Sequence, residues 1–434
     1  MSGELLKNVR IIDPVSNTDR QADVLIVDQI IQQIQPEIVT HLDAIEVLNC
    51  EGMILGSGLV DLYSHTGEPG FEDRETLHSL MQAGLAGGFT RIGILPDTLP
   101  TVDNPATLSL LQHKTQLTSQ SLPQLYFWGA LTQNIAGKQM TELAELASTN
   151  IIGFTDGQPI QDLVLLRRLL EYLKPLNLPV ALYCCDRALA MDGVMREGNE
   201  SIRSGLPGIP VYAETAALST VLELVAEIQT PVHLMRISTR RSVELIQQAK
   251  SRNLPVTAST TWMHLLLNTT AISGNHSNEF SITPYDPNLN LDPPLGNLTD
   301  QAALIQGIKT GIIDAIAIDH TPYTYEEKTV AFADTPPGVI GLELALPLLW
   351  QRFVESGEWS ALELWQTLSL NPALCLGKNI NPIIPNKPTE LILFNPQQLW
   401  EVEYYKLQSR AFNTPWRKQE LLGRVVATWC ENKK

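Results

Sequence analysis

The stretch that decides the fold is residues 58–97, GLVDLYSHTGEPGFEDRETLHSLMQAGLAGGFTRIGILPD. It contains a short apolar strand, a polar turn, a segment with helical periodicity over Thr76–Ala86 and a second apolar strand. Similar strands recur along the chain, as in QLYFWGAL, NIIGFTDG, LPVALYCC, TPVHLMRIS, LPVTAST and DAIAIDHT, with helices predicted between them, for example at Asp162–Leu173, Glu214–Ala226 and Arg241–Lys250. Strand and helix alternating about eight times indicate the α/β class and a (β/α)8 TIM barrel.

The two ends of the chain have a different pattern from this alternation. The N-terminal end contains short strands separated by polar breaks, LLKNVRII, ADVLIVDQIIQQI and IEVLNCEGMIL, and strands return after Leu376 as TELILFN and ELLGRVVATWCEN. We expect residues 1–53 and 376–434 to pair into one small composite β-sandwich domain beside a barrel of residues 54–375. Residues 270–300, rich in Asn, Pro and Ser, predict a long loop at the barrel mouth.

Composition excludes several classes of protein. The 30 Lys and Arg against 47 Asp and Glu give a formal net charge of −17, which disfavours nucleic acid and anionic membrane surfaces as partners. The five cysteines are scattered apart from the vicinal Cys184–Cys185, which we interpret as small buried residues because neighbours on a strand face opposite ways. With no apolar leader and no membrane-length apolar run, the sequence favours a soluble cytoplasmic protein.

The residues that end the first barrel strand resemble those of the dihydroorotases, in the amidohydrolase superfamily. That family has at this point an Asp, a His-x-His pair, a Leu-Arg and a Glu-Pro-Gly, and here Asp61, His65 and the run Glu68–Gly70 match. Further matching segments run along the whole chain, namely AGGFT, GLPGIPVYAE, PPGVIGLELALPLL, NTPW and GRVVAT. The resemblance implies common ancestry and the barrel fold, whereas activity depends on the residues of the site.

The resemblance also locates the metal-ligand positions, and only part of the set remains. The retained positions are His65, Asp156 and Asp319, and the lost positions hold Tyr63, Tyr183 and Arg236. In a His-x-His pair both imidazoles project to the same side of the strand, and a neutral phenol replaces an imidazole poorly. A guanidinium a few ångströms from a divalent ion would repel it by on the order of several kcal/mol. We therefore expect no metal cofactor, and Asp319, the family's general base, to be vestigial rather than catalytic.

The positions that bind the substrate's carboxylate in this family are also changed. Gly67 and Asp97 stand where the family has Arg and Asn, and Asp292 and Gly296 replace an Asn and an Arg. A guanidinium fork matches a carboxylate in two hydrogen bonds, so its loss removes the main attraction. We expect an acidic pocket at the mouth that binds no dihydroorotate.

The retained polar residues also have plain structural interpretations. We interpret His65, His233 and His264 as hydrogen-bonded imidazoles, and Asp61 as a residue that orients its strand end. Without a metal, Asp156 and Asp319 would be buried carboxylates in need of a counter-charge. We therefore predict an internal pair between Arg236 and these carboxylates in place of the metals.

Three hypotheses of function follow from these residues. The first is a non-catalytic dihydroorotase-like pseudoenzyme of pyrimidine biosynthesis, with a degenerate metal site, that supports the assembly of aspartate carbamoyltransferase; the resemblance supplies this partner. The second is an active cyclic amidohydrolase whose single zinc ion is held by His65, Asp156 and Asp319, with Tyr63 as a further ligand. The third is a small-molecule sensor that uses the barrel mouth. Homo-oligomerisation stays open.

Overall fold

The computed structural model describes residues 3–39, 45–116, 121–274 and 282–431. Within these residues the strands are Gly3–Asp13 (β1), Thr18–Val27 (β2), Ile30–Gln35 (β3), Ile45–Asn49 (β4), Ile54–Ser57 (β5), Leu59–Ser64 (β6), Phe89–Ile94 (β7), Gln124–Gly129 (β8), Gly153–Phe154 (β9), Ala181–Tyr183 (β10), Met195–Arg196 (β11), Gly208–Ile209 (β12), Val232–Met235 (β13), Val256–Thr261 (β14), Ala315–Ala317 (β15), Leu391–Glu401 (β16) and Glu420–Trp429 (β17). The α-helices are Leu77–Gly87 (α1), Pro105–Gln116 (α2), Leu143–Ala147 (α3), Leu163–Leu173 (α4), Arg187–Ala190 (α5), Asn199–Ser204 (α6), Val211–Ile228 (α7), Arg240–Ser251 (α8), Trp262–Leu266 (α9), Leu298–Lys309 (α10), Tyr325–Lys328 (α11), Ala345–Leu349 (α12), Ala361–Trp365 (α13) and Asn371–Cys375 (α14).

Eight parallel strands form the barrel. They lie in two four-stranded sheets, in the orders β6-β7-β8-β9 and β10-β13-β14-β15. A parallel bridge between Phe154 and Val180 joins the two sheets. On the other side the backbone N–H of His65 donates to the carbonyl of His320 at 2.8 Å, which closes the ring. The predicted (β/α)8 barrel is therefore confirmed, and its strand ends gather the polar residues at one mouth.

Local signals explain why the predicted helices lie close to where they were expected. Thr76 caps α1 by accepting a hydrogen bond from the backbone N–H of Ser79, and Gly88 ends the helix at φ 85°. Asp162 caps α4 in the same way. The segments predicted to be helical at 214–226 and 241–250 are the cores of α7 and α8, which extend a few residues further.

Both ends of the chain contribute to one mixed sheet. Its order is β17-β16-β5-β1-β2-β3, with β4 also paired to β1, and β16 runs antiparallel to β5. The segment predicted as a single strand, ADVLIVDQIIQQI, is two strands, because Asp28 and Gln29 turn the chain at φ 49° and 61°. Strand β5 belongs to this sheet although it lies inside the range assigned to the barrel. The exact domain limits stay a prediction.

The predicted mouth loop at 270–300 contains short turns rather than one irregular segment. One 3-10 turn spans Thr269–Ala271, another spans Pro287–Leu289, and α10 begins at Leu298. Residues 275–281 of that loop lie outside the described residues. In the described part of the chain, no helix has both the length and the apolar character needed to cross a membrane.

Candidate functional site

Arg236 lies at the centre of the barrel mouth, directly after β13. Its Nε lies 2.8 Å from Asp319 Oδ2 and its Nη2 lies 2.7 Å from Asp319 Oδ1, so the pair is bidentate. Its Nη1 donates to the carbonyl of Gly157 at 2.9 Å, and Nη2 also lies 3.2 Å from His65 Nε2. The Arg236 side chain is only 4% exposed. The predicted Arg236–carboxylate pair is therefore confirmed for Asp319.

The backbone of this pair is in an uncommon conformation. Arg236 and Asp319 have φ values of 55° and 52°, in the left-handed region that non-glycine residues rarely occupy. Such conformations persist only where surrounding contacts hold them, and they concentrate at functional sites. Each of these two residues follows the end of a strand, and their side chains pair with each other across the mouth.

Arg236 and Asp319 each stabilise the charged form of the other. Burial would raise the pKa of Asp319, but the Arg236 cation and His65 outweigh it and hold that pKa at about 2. Burial would lower the pKa of Arg236, and the Asp319 charge instead raises it above its ordinary value. Both groups are therefore ionised over the whole physiological pH range.

His65 continues this chain of charges towards the outer rim. Its Nδ1 lies 2.5 Å from Asp97 Oδ2, and its Nε2 lies 3.6 Å from Asp319 Oδ1. Burial opposes a proton on the imidazole, yet the carboxylates of Asp97 and Asp319 outweigh burial and raise the pKa of His65 to about 9. The imidazole is thus held between two carboxylates.

Asp156 belongs to a separate group of contacts. Its Oδ1 accepts the backbone N–H groups of Leu131 at 2.8 Å and Thr132 at 2.9 Å, and its Oδ2 accepts the Thr132 hydroxyl at 2.5 Å. Burial raises its pKa to about 6, against the effect of these hydrogen bonds. The expectation that Arg236 would also neutralise Asp156 is wrong, because amide and hydroxyl donors satisfy that carboxylate instead.

The two tyrosines at positions that the resemblance assigns to metal ligands form hydrogen bonds with other residues. Tyr63 is fully buried, accepts the backbone N–H of Arg236 at 3.1 Å and hydrogen bonds the Ser259 hydroxyl at 2.8 Å. Tyr183 donates to Asp292 Oδ1 at 2.5 Å, and its ring lies 5.4 Å from the Arg236 guanidinium carbon. Burial raises the pKa of both phenols, which keeps them neutral. Neither therefore offers an anionic oxygen to a cation.

The residues present do not fit the family's metal centre. Among the residues that the structure describes, no group of three or more His, Cys, Asp or Glu side chains is arranged to hold a metal ion. The Arg236 guanidinium contacts both His65 and Asp319, the two retained positions that lie together. A permanent cation therefore occupies the space between them, where a metal would need anionic or neutral donors.

At the two glycines that the resemblance assigns to substrate positions, there is little space for a side chain. A Cβ atom on Gly67 would lie 2.1 Å from the carbonyl oxygen of Phe71, so the loop has no room for the family's Arg. A Cβ on Gly296 would lie 2.6 Å from the Cβ of Asp300. The space beside Gly67 is filled by backbone atoms of Phe71 and Glu75, and the space beside Gly296 by the Asp300 side chain and the Ser238 carbonyl.

The prediction of an acidic pocket needs correction. Asp97 pairs with His65, and Asp292 accepts hydrogen bonds from Tyr183 and, at 2.6 Å, from Arg187 Nη2. Each carboxylate at the mouth thus faces a cation from another segment. Sequence reasoning missed Arg187 because it follows the strand end by several residues and meets Asp292 only across the mouth loop.

The mouth encloses a cavity of about 160 Å³, and Arg74 is a further residue that sequence reasoning missed. Its guanidinium carbon lies 4.4 Å from the ring centroid of Phe71 and 5.0 Å from that of Tyr323, and Nη2 pairs with Glu327 at 2.5 Å. The available signal was its place in FEDRET, shortly after the Glu-Pro-Gly turn. At the rim, the Arg74 charge is therefore compensated by the Glu327 carboxylate.

The remaining candidate residues are buried, and the polar ones form hydrogen bonds within the fold. Asp61 accepts the backbone N–H of Ile318 at 2.8 Å and the Ser64 hydroxyl at 2.5 Å, which ties β6 to the end of β15. Burial raises its pKa to about 7. His233 and His264 are buried and hydrogen-bonded, and burial lowers their pKa values to about 3 and about 4. Cys184 and Cys185 are buried as expected.

Comparison with known proteins places the chain in a family. The dihydro-orotase-like family matches residues 52–242. The chain is 44% identical over 446 residues to a probable dihydroorotase-like protein of Synechocystis sp., covering 98% of this chain and 99% of that protein. It is 34% identical over 425 residues to the dihydroorotase of Pelotomaculum thermopropionicum, covering 98% of this chain and 96% of that one.

Solved structures show the same architecture. The L-hydantoinase (dihydropyrimidinase) of Arthrobacter aurescens aligns with a TM-score of 0.78 at 19% identity, covering 100% of this chain and 98% of that one. The dihydropyrimidinase of Brevibacillus agri aligns with a TM-score of 0.77 at 18% identity, covering 99% and 94%. The fold is therefore the TIM barrel of the amidohydrolase type. Within that class, the chain belongs to the dihydroorotase-like family, as its identity to curated relatives over nearly its whole length establishes.

Proposed function

We propose that this chain is a non-catalytic, cytoplasmic member of its family that serves pyrimidine biosynthesis as a structural partner of aspartate carbamoyltransferase. The observation that carries the first part is the position of Arg236, bidentate with Asp319 and in contact with His65. A guanidinium is charged at every accessible pH, so it excludes a second cation from the same small space. Without a metal, the site lacks the Lewis acid that would lower the pKa of a bound water towards 7.

The structural role is supported by the contrast between the mouth and its surroundings. In the scaffold, the buried carboxylate of Glu214 accepts both hydroxyls and both backbone N–H groups of Ser238 and Thr239. Glu75 likewise joins the C-terminal segment at Ser409 and Arg410 to the barrel. The fold is thus kept while the reactive groups are replaced. The partner itself is inferred from the family resemblance.

The alternative, a single zinc ion held by His65, Asp156 and Asp319, finds less support. It requires Asp156 to turn away from Leu131 and Thr132 and requires Arg236 to leave Asp319. Each step breaks buried hydrogen bonds, which costs about 1–3 kcal/mol for each group left unsatisfied.

Metal content and turnover test the non-catalytic part. The purified chain is analysed for bound metal and assayed for dihydroorotate hydrolysis with and without added zinc, with the Pelotomaculum thermopropionicum dihydroorotase as positive control. We expect substoichiometric metal and no turnover from this chain. Stoichiometric zinc together with turnover would overturn the proposal.

A variant that restores the lost ligands sharpens this test. Tyr63→His, Tyr183→His and Arg236→His are combined in one chain, and Tyr63→Phe, Tyr183→Phe and Arg236→Gln in a matched control. If loss of ligands is the cause, the histidine variant gains zinc and the control does not. Equal zinc in both variants would show that these positions do not govern metal binding.

The partnership has its own test, so that its failure leaves the metal result standing. The chain is mixed at micromolar concentration with aspartate carbamoyltransferase from the same organism and run by size exclusion with light scattering. Co-elution at a defined stoichiometry is expected. Separate elution contradicts the partnership, and an unrelated barrel protein of similar acidity serves as the control for non-specific association.

A further inference from the structure

A second, larger cavity lies beside the barrel mouth. It has a volume of about 1040 Å³ and lies between α11 and residues 404–418 of the C-terminal segment. Four aromatic side chains line it: Tyr323, Tyr325, Tyr404 and Phe412. Tyr323 also borders the mouth cavity, so the two spaces are neighbours separated by one ring. This volume is at the upper end of the range for small-molecule sites.

The walls of this cavity are held in place by buried contacts. The side chain of Asn413 donates to the carbonyl of Thr321 at 2.9 Å and accepts the backbone N–H of Tyr323 at 3.1 Å. Lys328 Nζ donates to the carbonyl of Pro336 at 2.7 Å and lies 5.2 Å from the Tyr323 ring centroid. The Tyr323 side of the cavity is thus formed before any ligand arrives, which lowers the entropic cost of binding, whereas Tyr325 and Tyr404 are 72% and 61% exposed.

Both basic and acidic side chains line the cavity, on a chain whose formal net charge is −17. The basic ones are Lys328, Arg410, Arg417 and Lys418, and the carboxylates are Asp73 and Glu326. Burial lowers the pKa of Lys328 to about 7. Lys328 is occupied by backbone carbonyls, and Arg417 lies 3.4 Å from Asp286. Arg410 and Lys418 are exposed, and in the described parts of the chain neither side chain forms an ion pair. Arg410 and Lys418 are therefore two exposed cations without an ion-pair partner at the rim of an aromatic cavity, which Asp73 and Glu326 also line.

We propose that this cavity is a second ligand site, distinct from the barrel mouth, for a planar aromatic anion of nucleotide size. Aromatic side chains stack on a planar ring, and the Arg410 and Lys418 cations bind a phosphate or carboxylate at the rim. The ring enters between the tyrosines while the charged group stays near solvent. The site includes neither Arg236 nor Asp319, so its test is independent of the proposed function.

Calorimetric titration with adenosine 5′-monophosphate and uridine 5′-monophosphate, at near-physiological salt, tests the site. Adenosine, uridine and inorganic phosphate are titrated separately as the two halves of the ligand. We expect saturable 1:1 binding of at least one nucleotide, about tenfold or more tighter than its nucleoside or phosphate alone, because stacking and charge contacts act together. No saturable binding of either nucleotide overturns the proposal.

Substitutions at the rim locate the binding. Arg410→Gln and Lys418→Gln each remove one exposed cation, and Arg20→Gln removes an exposed cation in the N-terminal sheet as a matched control. We expect each rim variant to weaken nucleotide binding about tenfold, Tyr325→Ala to weaken it as well, and the control to leave it unchanged. Binding that the rim variants leave intact would place the ligand elsewhere and contradict the proposal.

Discussion

The two sides of the barrel mouth each retain a carboxylate, and they neutralise it differently. On the side of β13 and β15, Asp319 is bound by the guanidinium of Arg236. On the side of β8 and β9, Asp156 is bound by two backbone N–H groups and the Thr132 hydroxyl. The Asp319 carboxylate is thus compensated by a cation, and the Asp156 carboxylate by the dipoles of amide and hydroxyl groups. The difference should appear when either arrangement is broken.

The largest effect is expected from Arg236→Met, which removes the cation and keeps much of the side-chain volume. Asp319 would remain buried without its partner, and breaking a buried pair in this way costs about 3–5 kcal/mol. Urea denaturation should show this loss in the free energy of unfolding. Arg241→Met, at an exposed site in α8, is the control and should change stability by about 0.5 kcal/mol or less.

Removing both partners should restore much of that loss. Asp319→Asn keeps a residue that tolerates the left-handed conformation at φ 52° and removes the stranded charge. The double variant Arg236→Met with Asp319→Asn should therefore be more stable than Arg236→Met alone. If the two single effects simply add, the guanidinium and carboxylate do not depend on each other and the comparison fails.

A smaller effect is expected on the other side, from Asp156→Ala. This change leaves the N–H groups of Leu131 and Thr132 without their acceptor, at a cost of about 1–3 kcal/mol. Arg236 donates to the carbonyl of the neighbouring Gly157, but Leu131 and Thr132 bind the Asp156 carboxylate, so the two substitutions should add approximately in a double variant. Strong non-additivity in urea denaturation would show that the two sides are coupled.

The pH dependence should distinguish two histidines at the same mouth. The pKa of His65 is raised to about 9, so its stabilising contribution is fully present below about pH 6.5 and is lost as pH rises through about 9. The pKa of His264 is lowered to about 4, so its contribution is present above about pH 6.5 and is lost as pH falls towards 4. Imidazole NMR titrations, assigned with His65→Gln and His264→Gln, measure both. Titration of His65 below pH 6 would contradict its pairing with Asp97.

The smallest effect is expected at the outer rim, from Arg74→Gln. The Arg74–Glu327 pair is 28% and 29% exposed, and such partly solvated pairs contribute about 0–1 kcal/mol. Stability by urea denaturation should therefore change little, and the change should shrink at high salt. A loss comparable to that of Arg236→Met would mean that the rim and the centre of the mouth form one unit.

Much of the fold could be predicted because its signals are local. The capping residues Thr76 and Asp162 fix helix starts that can be read from neighbouring positions, and α1 and α4 begin one residue after them. The break between β2 and β3 was missed because Asp28 and Gln29 form this turn, and neither position has the glycine or proline that commonly marks one. The apolar pattern continues across that turn, so only the pairing of the two strands reveals it.

The site was predictable only where residue type and position were sufficient. A guanidinium at one former ligand position and a carboxylate at another implied a pair, and the structure has it between Arg236 and Asp319. The partners of Asp156 could not be foreseen, because its donors are backbone groups whose direction depends on how the loop after β8 turns. The compensation of Asp97 and Asp292 was missed for a similar reason, since His65 and Arg187 meet them from other segments of the chain.

The sequence by itself determined the alternating barrel and the family, because these depend on residue identity and on periodicity along the chain. Tertiary structure alone decided which charges meet. Electrostatic compensation depends on distances of a few ångströms between segments far apart in sequence. Arg236 and Asp319 are separated by 83 residues, yet their side chains lie 2.7 Å apart, and that contact defines the site.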